Sequence, residues 1–127
     1  MVLEVRENDI NLNTKNMKTA MISQPMAGKT EQEILEEKVK ATKELNKRGY
    51  EVVNTYFADE WTKKENLEKE GVKNIPLCFL ARSLAKMSTC DAVYFCKGWH
   101  NARGCKVELE AAKSYGLDII FADQIDD

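Results

Sequence analysis

The stretch Thr19-Ala20-Met21-Ile22-Ser23-Gln24-Pro25-Met26-Ala27-Gly28-Lys29-Thr30-Glu31-Gln32-Glu33 decides the fold. Its first four residues run without polar alternation, as a strand covered on both faces does. Pro25 and Gly28 break the run. Thr30 and Glu33 have the spacing of a capping box, in which hydroxyl and carboxylate satisfy each other's backbone N–H groups and a helix begins. Ile34, Leu35, Val39, Ala41 and Leu45 continue at helical spacing, and Gly49 ends the helix. Lys38 falls inside that apolar stripe and reads as a snorkelling side chain. Strand, polar loop and amphipathic helix together make the first part of a βαβ unit.

The same texture recurs downstream. Val52-Val53 centres a second strand over Tyr50 to Asn54. A long charged connection, Thr55 to Pro76, contains Tyr56, Phe57 and Trp61 and reads as a binding loop or lid, with a surface helix over Glu60 to Glu70. Leu77, Leu80, Ala81, Leu84 and Met87 predict another helix. Ala92-Val93-Tyr94-Phe95 predicts a third strand, and the loop Cys96 to Arg103 leads into a helix from Gly104 to Tyr115. Ile119-Ile120-Phe121 is the fourth strand. Short apolar strands alternating with helices predict an α/β fold, doubly wound in the flavodoxin or Rossmann manner. Its sheet has four to five parallel strands, with helices on both faces. Residues 1–17 read as an N-terminal arm, Val2, Leu3 and Val5 offering at most an edge strand, and residues 18–127 as a single domain. Right-handed crossovers gather the loops Ser23 to Lys29, Thr55 to Trp61 and Cys96 to Arg103 at the carboxyl edge of the sheet, where such folds bind ligands.

Composition narrows the class. The chain has 127 residues with 19 Lys+Arg against 21 Asp+Glu, net −2, so the basic footprint of a nucleic-acid-polymer binder is missing. No 18-residue apolar stretch exists, which argues against a membrane partner. Glu4, Glu7 and Asp9 are the wrong flank for a secretory leader, so a cytoplasmic location is expected. The cysteines, at 78, 90, 96 and 105, form no Cys-x-x-Cys pair, and His100 is the only histidine. No metal site is expected, and the thiols read as reduced and mostly buried. Neither does any motif call for a cofactor.

Glu108 is the candidate catalytic residue. On a helical wheel starting at Val107, Glu108 falls at about 100°, between Ala111 and Tyr115 on one side and Ala112 on the other; Glu110 and Lys113 lie opposite. An inward carboxylate is costly unless something holds it. A place in the first helical turn would supply the positive dipole end and free N–H groups. Such a group suits a nucleophile or a base. The competing reading is a local cap, Glu108 folding back onto the N–H of Gly104 or Cys105.

Around it stand candidate binding residues. Ser23, Gln24, Pro25, Met26, Gly28 and Lys29 partly match a phosphate loop, but Ser23 replaces its first Gly and Pro25 removes an N–H; a looser anion or sugar contact, or a plain capped turn, fits better. In the loop before Glu108, Asn101, Arg103 and Gly104 are candidate contacts, and Arg103 could grip a phosphate or stand solvated. Tyr56, Phe57, Trp61 and Trp99 could stack a planar base or simply pack at the rim. His100 as a metal ligand or a general acid is a minor alternative.

These pieces resemble the nucleoside 2-deoxyribosyltransferase superfamily, which includes 2′-deoxynucleoside 5′-monophosphate N-glycosidases. They are closest to a group of small, largely uncharacterised bacterial and phage proteins within it. The matching segments are Met21 to Thr30, Gly49 to Asn54, Ser83 to Phe95, and Gly98-Trp99 through Arg103 to Glu108, spanning about Lys18 to Phe121. Gly104 to Glu108 has the Gly-x-x-x-Glu form that carries the family's nucleophile. Gln24-Pro25-Met26 falls where the family's first loop lines the sugar and base. The resemblance implies a covalent glycosyl-enzyme on Glu108, a nucleoside or nucleotide as small-molecule partner, and a homodimer or larger homo-oligomer. Position 83, where the family often has an Asp assisting the leaving base, is Ser, and Arg103 stands where some transferases have an Asp. The alternative function is a nucleotide-binding module without turnover.

Overall fold

A computed structural model describes residues 17–53 and 64–122. The described elements, in chain order, are β1 (Lys18–Ser23), α1 (Glu31–Lys47), β2 (Tyr50–Val52), α2 (Lys64–Lys69), α3 (Ile75–Met87), β3 (Ala92–Phe95), a 3-10 turn (Trp99–Asn101), α4 (Arg103–Ser114) and β4 (Asp118–Phe121). The predicted arm, Asn54, and the aromatic residues Tyr56, Phe57 and Trp61 lie outside the described residues.

The four strands form one sheet in the order β2-β1-β3-β4, every pair parallel. This is the expected doubly wound α/β arrangement. The chain moves outward from β1 to β2, then crosses back to β3 on the other side of β1. The strand order therefore reverses between β1 and β3, and beyond their carboxyl ends is where folds of this kind place a ligand crevice. Ser23 pairs with Phe95 there, and the Cys96 N–H donates to the Ser23 carbonyl at 3.0 Å.

Alternation along the strands splits the core into two layers. Ala20, Ile22, Ala92, Tyr94 and Cys96 pack on Ala41 and Leu45 of α1. Met21, Val93 and Phe95 pack on Met87 of α3 and Ala112 of α4. The α1 capping box is formed as the sequence predicts: Thr30 Oγ1 accepts from the Glu33 N–H at 3.1 Å, and Glu33 accepts from the Thr30 N–H at 2.8 Å. Three apolar stripes are narrower than expected; on α3, Leu77 and Ala81 are exposed and Met87 is the buried member. Leu35 and Val39 are exposed on the outer side of α1, whose buried residues are Ala41 and Leu45, with Ile34 half-buried. On α4 the buried side is Cys105, Glu108 and Ala112, and Tyr115, the cap residue after the helix, is 84 % exposed.

At the amino edge, Asp91 ties β1 to β3. Its Oδ2 accepts from the Thr19 N–H at 2.8 Å and the Thr19 hydroxyl at 3.3 Å, while its own N–H donates to the Thr19 carbonyl. No helix among the described residues is long and apolar enough to cross a membrane.

Candidate active site

Strand alternation aims Ser23 at α4. Met21 and Ser23 share the face of the sheet that α3 and α4 cover, and Ser23 ends the strand where the crevice begins. Its hydroxyl donates to Glu108 Oε1 at 2.6 Å, inside the protein. That length is typical of a hydroxyl donating to an ionised carboxylate. Ser23 is 1 % exposed and Glu108 7 %. The contact spans 85 positions of sequence, so it is a product of the fold and not a local cap.

Two expectations about Glu108 are thereby corrected. It does not fold back onto the N–H of Gly104 or Cys105, since its carboxylate bonds Ser23. Nor does it sit in the first turn: α4 begins at Arg103, and at position 108 the backbone N–H groups are already committed within the helix. Side-chain hydroxyls take the place of the helix end. Burial pushes the Glu108 carboxyl above its ordinary value, and the hydroxyls of Ser23, hydrogen-bonded to it, and of Ser83 on α3 pull the other way.

Cys105 lies one helical turn before Glu108 and is buried; burial raises its thiol, with the Ser23 hydroxyl pulling the other way. Cys96, at the end of β3, is pushed up to about 12, first by burial and then by Glu37 and Cys105. Neither thiol is an available nucleophile at neutral pH, because the thiolate is the reactive form. Among the described residues no three His, Cys, Asp or Glu side chains are grouped to hold a metal ion.

The remaining candidates divide into those near Glu108 and those turned elsewhere. Pro25 is buried against Gly98: a β-carbon added at Gly98 would lie 3.8 Å from the Pro25 ring. Gly98 has φ 86°, so the two loops meet at a backbone shape that favours glycine. Met26 stands 55 % exposed beside them. Gln24 is turned to α1, where its amide donates to the Ile34 carbonyl at 2.7 Å and to Glu37 at 3.2 Å. Lys29 pairs with the same Glu37 at 3.3 Å, and Gly28 makes the turn before it with φ 79°. These three build the β1–α1 junction.

Arg103 and Gly104 form the start of α4. The cap residue, Ala102, has no side-chain oxygen to accept from the first N–H groups. Arg103, Asn101 and His100 are exposed there. Trp99 is held by the fold, its ring 5.2 Å from Phe121 and 6.1 Å from Phe95, with His100 edge-on to it. Sequence reasoning noted Ser83 only as a departure from a pattern, and Cys105 only as a buried thiol. The available signal was a polar residue interrupting the α3 stripe between Leu80 and Met87.

A clear cleft of about 350 Å³ lies away from Glu108, along α1, lined by Lys29, Glu33, Glu36, Glu37 and Lys40. Its lining belongs to the capped helix start and its ion pairs. The buried carboxylate lies elsewhere, at the carboxyl ends of β1 and β3.

No curated protein and no solved structure matches the chain. One family model does, over residues 18–121, from the first residue of β1 to the last of β4, and its description is Domain of unknown function (DUF4406). The sheet, its two helical layers and the Ser23–Glu108 pair all fall inside that span, and the chain belongs to the DUF4406 family.

Proposed function

We propose that the protein is an enzyme acting on the N-glycosidic bond of a deoxynucleoside or its 5′-monophosphate, with Glu108 as nucleophile. The observation that carries this reading is a buried glutamate at the strand-order reversal, hydrogen-bonded by Ser23. The resemblance to nucleoside 2-deoxyribosyltransferases supports it, since Gly104 to Glu108 has the form of their nucleophile loop. In the first step a Glu108 oxygen bonds to the anomeric carbon as the C–N bond breaks, and the base leaves with the bonding pair and takes up a proton. In the second step water, or another base, attacks the same carbon and Glu108 is released as carboxylate. Both steps pass through an oxocarbenium-like transition state, as in retaining glycosidases.

The start of α4 favours a phosphorylated substrate. Its first N–H groups have no side-chain cap, and Arg103 adds a guanidinium beside them. The start of α1 is a poorer anion site, because Glu33 fills the cap and Lys29 is paired with Glu37.

Incubation with each deoxynucleoside and each 5′-monophosphate, followed by chromatography for free base, tests the reading. Free base from at least one substrate, absent with Glu108→Gln, is expected. No base from any of them would remove the reading. One observation favours a binding module instead: the group hydrogen-bonded to Glu108 is the Ser23 hydroxyl, a poor acid for a leaving base. Thermal stabilisation by a nucleotide without base release would identify that case.

A further inference from the structure

Ser23 and Gln24 are neighbours at the end of β1, and their side chains part to opposite faces of the sheet, as successive residues of a strand do. The Ser23 hydroxyl goes to Glu108 on the α4 side. The Gln24 amide goes to the α1 side, donating to the Ile34 carbonyl at 2.7 Å and to Glu37 Oε1 at 3.2 Å. Two adjacent residues thus each meet a glutamate, one on either face.

Glu37 holds more than Gln24. The same Oε1 accepts from the Lys29 ammonium at 3.3 Å. Gln24 opens the loop between β1 and α1 and Lys29 lies near its other end, so one carboxylate oxygen joins the two ends of the loop. Glu37 itself is half-buried in the second turn of α1, a helix with a formed capping box. Backbone pairing alone gives Ser23 less support. Among the described residues β2 accompanies β1 only as far as Ala20, whose carbonyl accepts from the Val53 N–H. On the β3 side the ladder ends at Ser23, paired with Phe95, and Pro25 has no N–H to carry it further.

We propose that Glu37 is a positioning residue: from the face of the sheet opposite Glu108 it ties the Gln24 to Lys29 loop onto α1 and so fixes Ser23, the donor that holds the Glu108 carboxylate. The proposal rests on the reading of Glu108 as nucleophile and adds a residue on another helix on which its aim depends. Gln24 has two amide hydrogens, and α1 takes both. That fixes the Gln24 side chain and, through one peptide bond, the Ser23 backbone. A reacting group displaced by about 1 Å costs about a hundredfold in rate, so a tie behind the sheet is enough to govern the chemistry in front of it.

Site-resolved amide hydrogen exchange and base-release kinetics, both on the full chain, test the proposal together. The Cys96 N–H reports on Ser23, because it donates to the Ser23 carbonyl at 3.0 Å; the Asp91 N–H, which donates to the Thr19 carbonyl at the amino edge, is the control. In Glu37→Ala the Cys96 amide should exchange about tenfold faster than in wild type while Asp91 keeps its rate. kcat should fall about ten- to a hundredfold with KM changed less than about twofold. Glu37→Gln, which keeps an oxygen for the Gln24 amide, should restore most of both. Gln24→Ala cuts the same tie from its other end and should reproduce Glu37→Ala, with the double variant no slower than either single one. Should Glu37→Ala fail to fold, Gln24→Ala carries the test. An unmoved Cys96 amide in a folded variant overturns the proposal. So does equal acceleration of Cys96 and Asp91, the mark of lost stability alone, and so does a loosened Cys96 with unchanged kcat. If wild type releases no base while Cys96 loosens selectively, the tie to Ser23 stands and the glycosidic reading falls on its own.

Discussion

A carboxylate at 7 % exposure is expensive to keep ionised unless something holds it. The hydroxyl bond to Glu108 offsets part of the desolvation but leaves its carboxyl raised above the ordinary value. The sign of the linkage follows. Glu108 protonates more readily folded than unfolded, so its contribution to stability is full below the ordinary carboxyl range and is lost as pH rises through the raised folded value. Glu108→Gln removes that dependence while keeping an acceptor for the hydroxyl. Thermal melts from pH 4 to pH 8 should therefore show Glu108→Gln gaining on wild type as pH rises. A difference that shrinks with rising pH would contradict this. Glu108→Ala should abolish base release, whereas Glu110→Ala, on the exposed side of α4, should change turnover less than about twofold, the scale of a surface substitution. Comparable losses in the two variants would count against the placement of Glu108.

At the scale of elements, the sheet separates function from support. Asp91 works at the amino edge, opposite the crevice, where it holds Thr19 of β1. Asp91→Ala leaves the Thr19 N–H without its acceptor and should cost about 1–3 kcal/mol by denaturant melts, with kcat of the folded protein near wild type. A kcat that collapses in folded Asp91→Ala would place Asp91 in the chemistry. Gly98 works at the carboxyl edge. Gly98→Ala forces a side chain into φ 86° and against Pro25, at a cost of about 1–2 kcal/mol. Because Pro25 follows Ser23 by two positions, activity should fall along with stability. Activity unchanged in Gly98→Ala would show that the Pro25 loop does not position Ser23.

Across the whole molecule, the pattern legible in the sequence was the pattern made by neighbours in the chain. The capping box at Thr30, the unbroken apolar run of β3 and the helical spacing over 77–87 are local, and the strands and helices formed where they indicated. The inward aim of Glu108 was legible for the same reason. What holds Glu108 was not, because Ser23 reaches it only after β1 and α4 pack together. Tyr115 shows the limit of the wheel: it shares an apolar arc with Glu108 in projection, yet it is the cap residue after α4, where the helical φ and ψ end, and it stands in solvent. Gln24 and Lys29 look like ligand contacts in a loop after a strand, but Glu37, on a helix face, engages both. At this scale the substrate also enters: Arg103→Ala should weaken binding of a 5′-monophosphate about tenfold or more and leave the plain nucleoside nearly unaffected, read by calorimetry. Equal loss for both would remove the phosphate from Arg103.

The most direct test of the account is to catch the sugar on the protein. Rapid acid quench of wild type with a substrate that releases base, followed by peptide mass spectrometry, is expected to show a glycosyl adduct on the peptide containing Glu108, with none in Glu108→Gln. Base release at near wild-type rate by Glu108→Gln, or an adduct on a different residue, would contradict it.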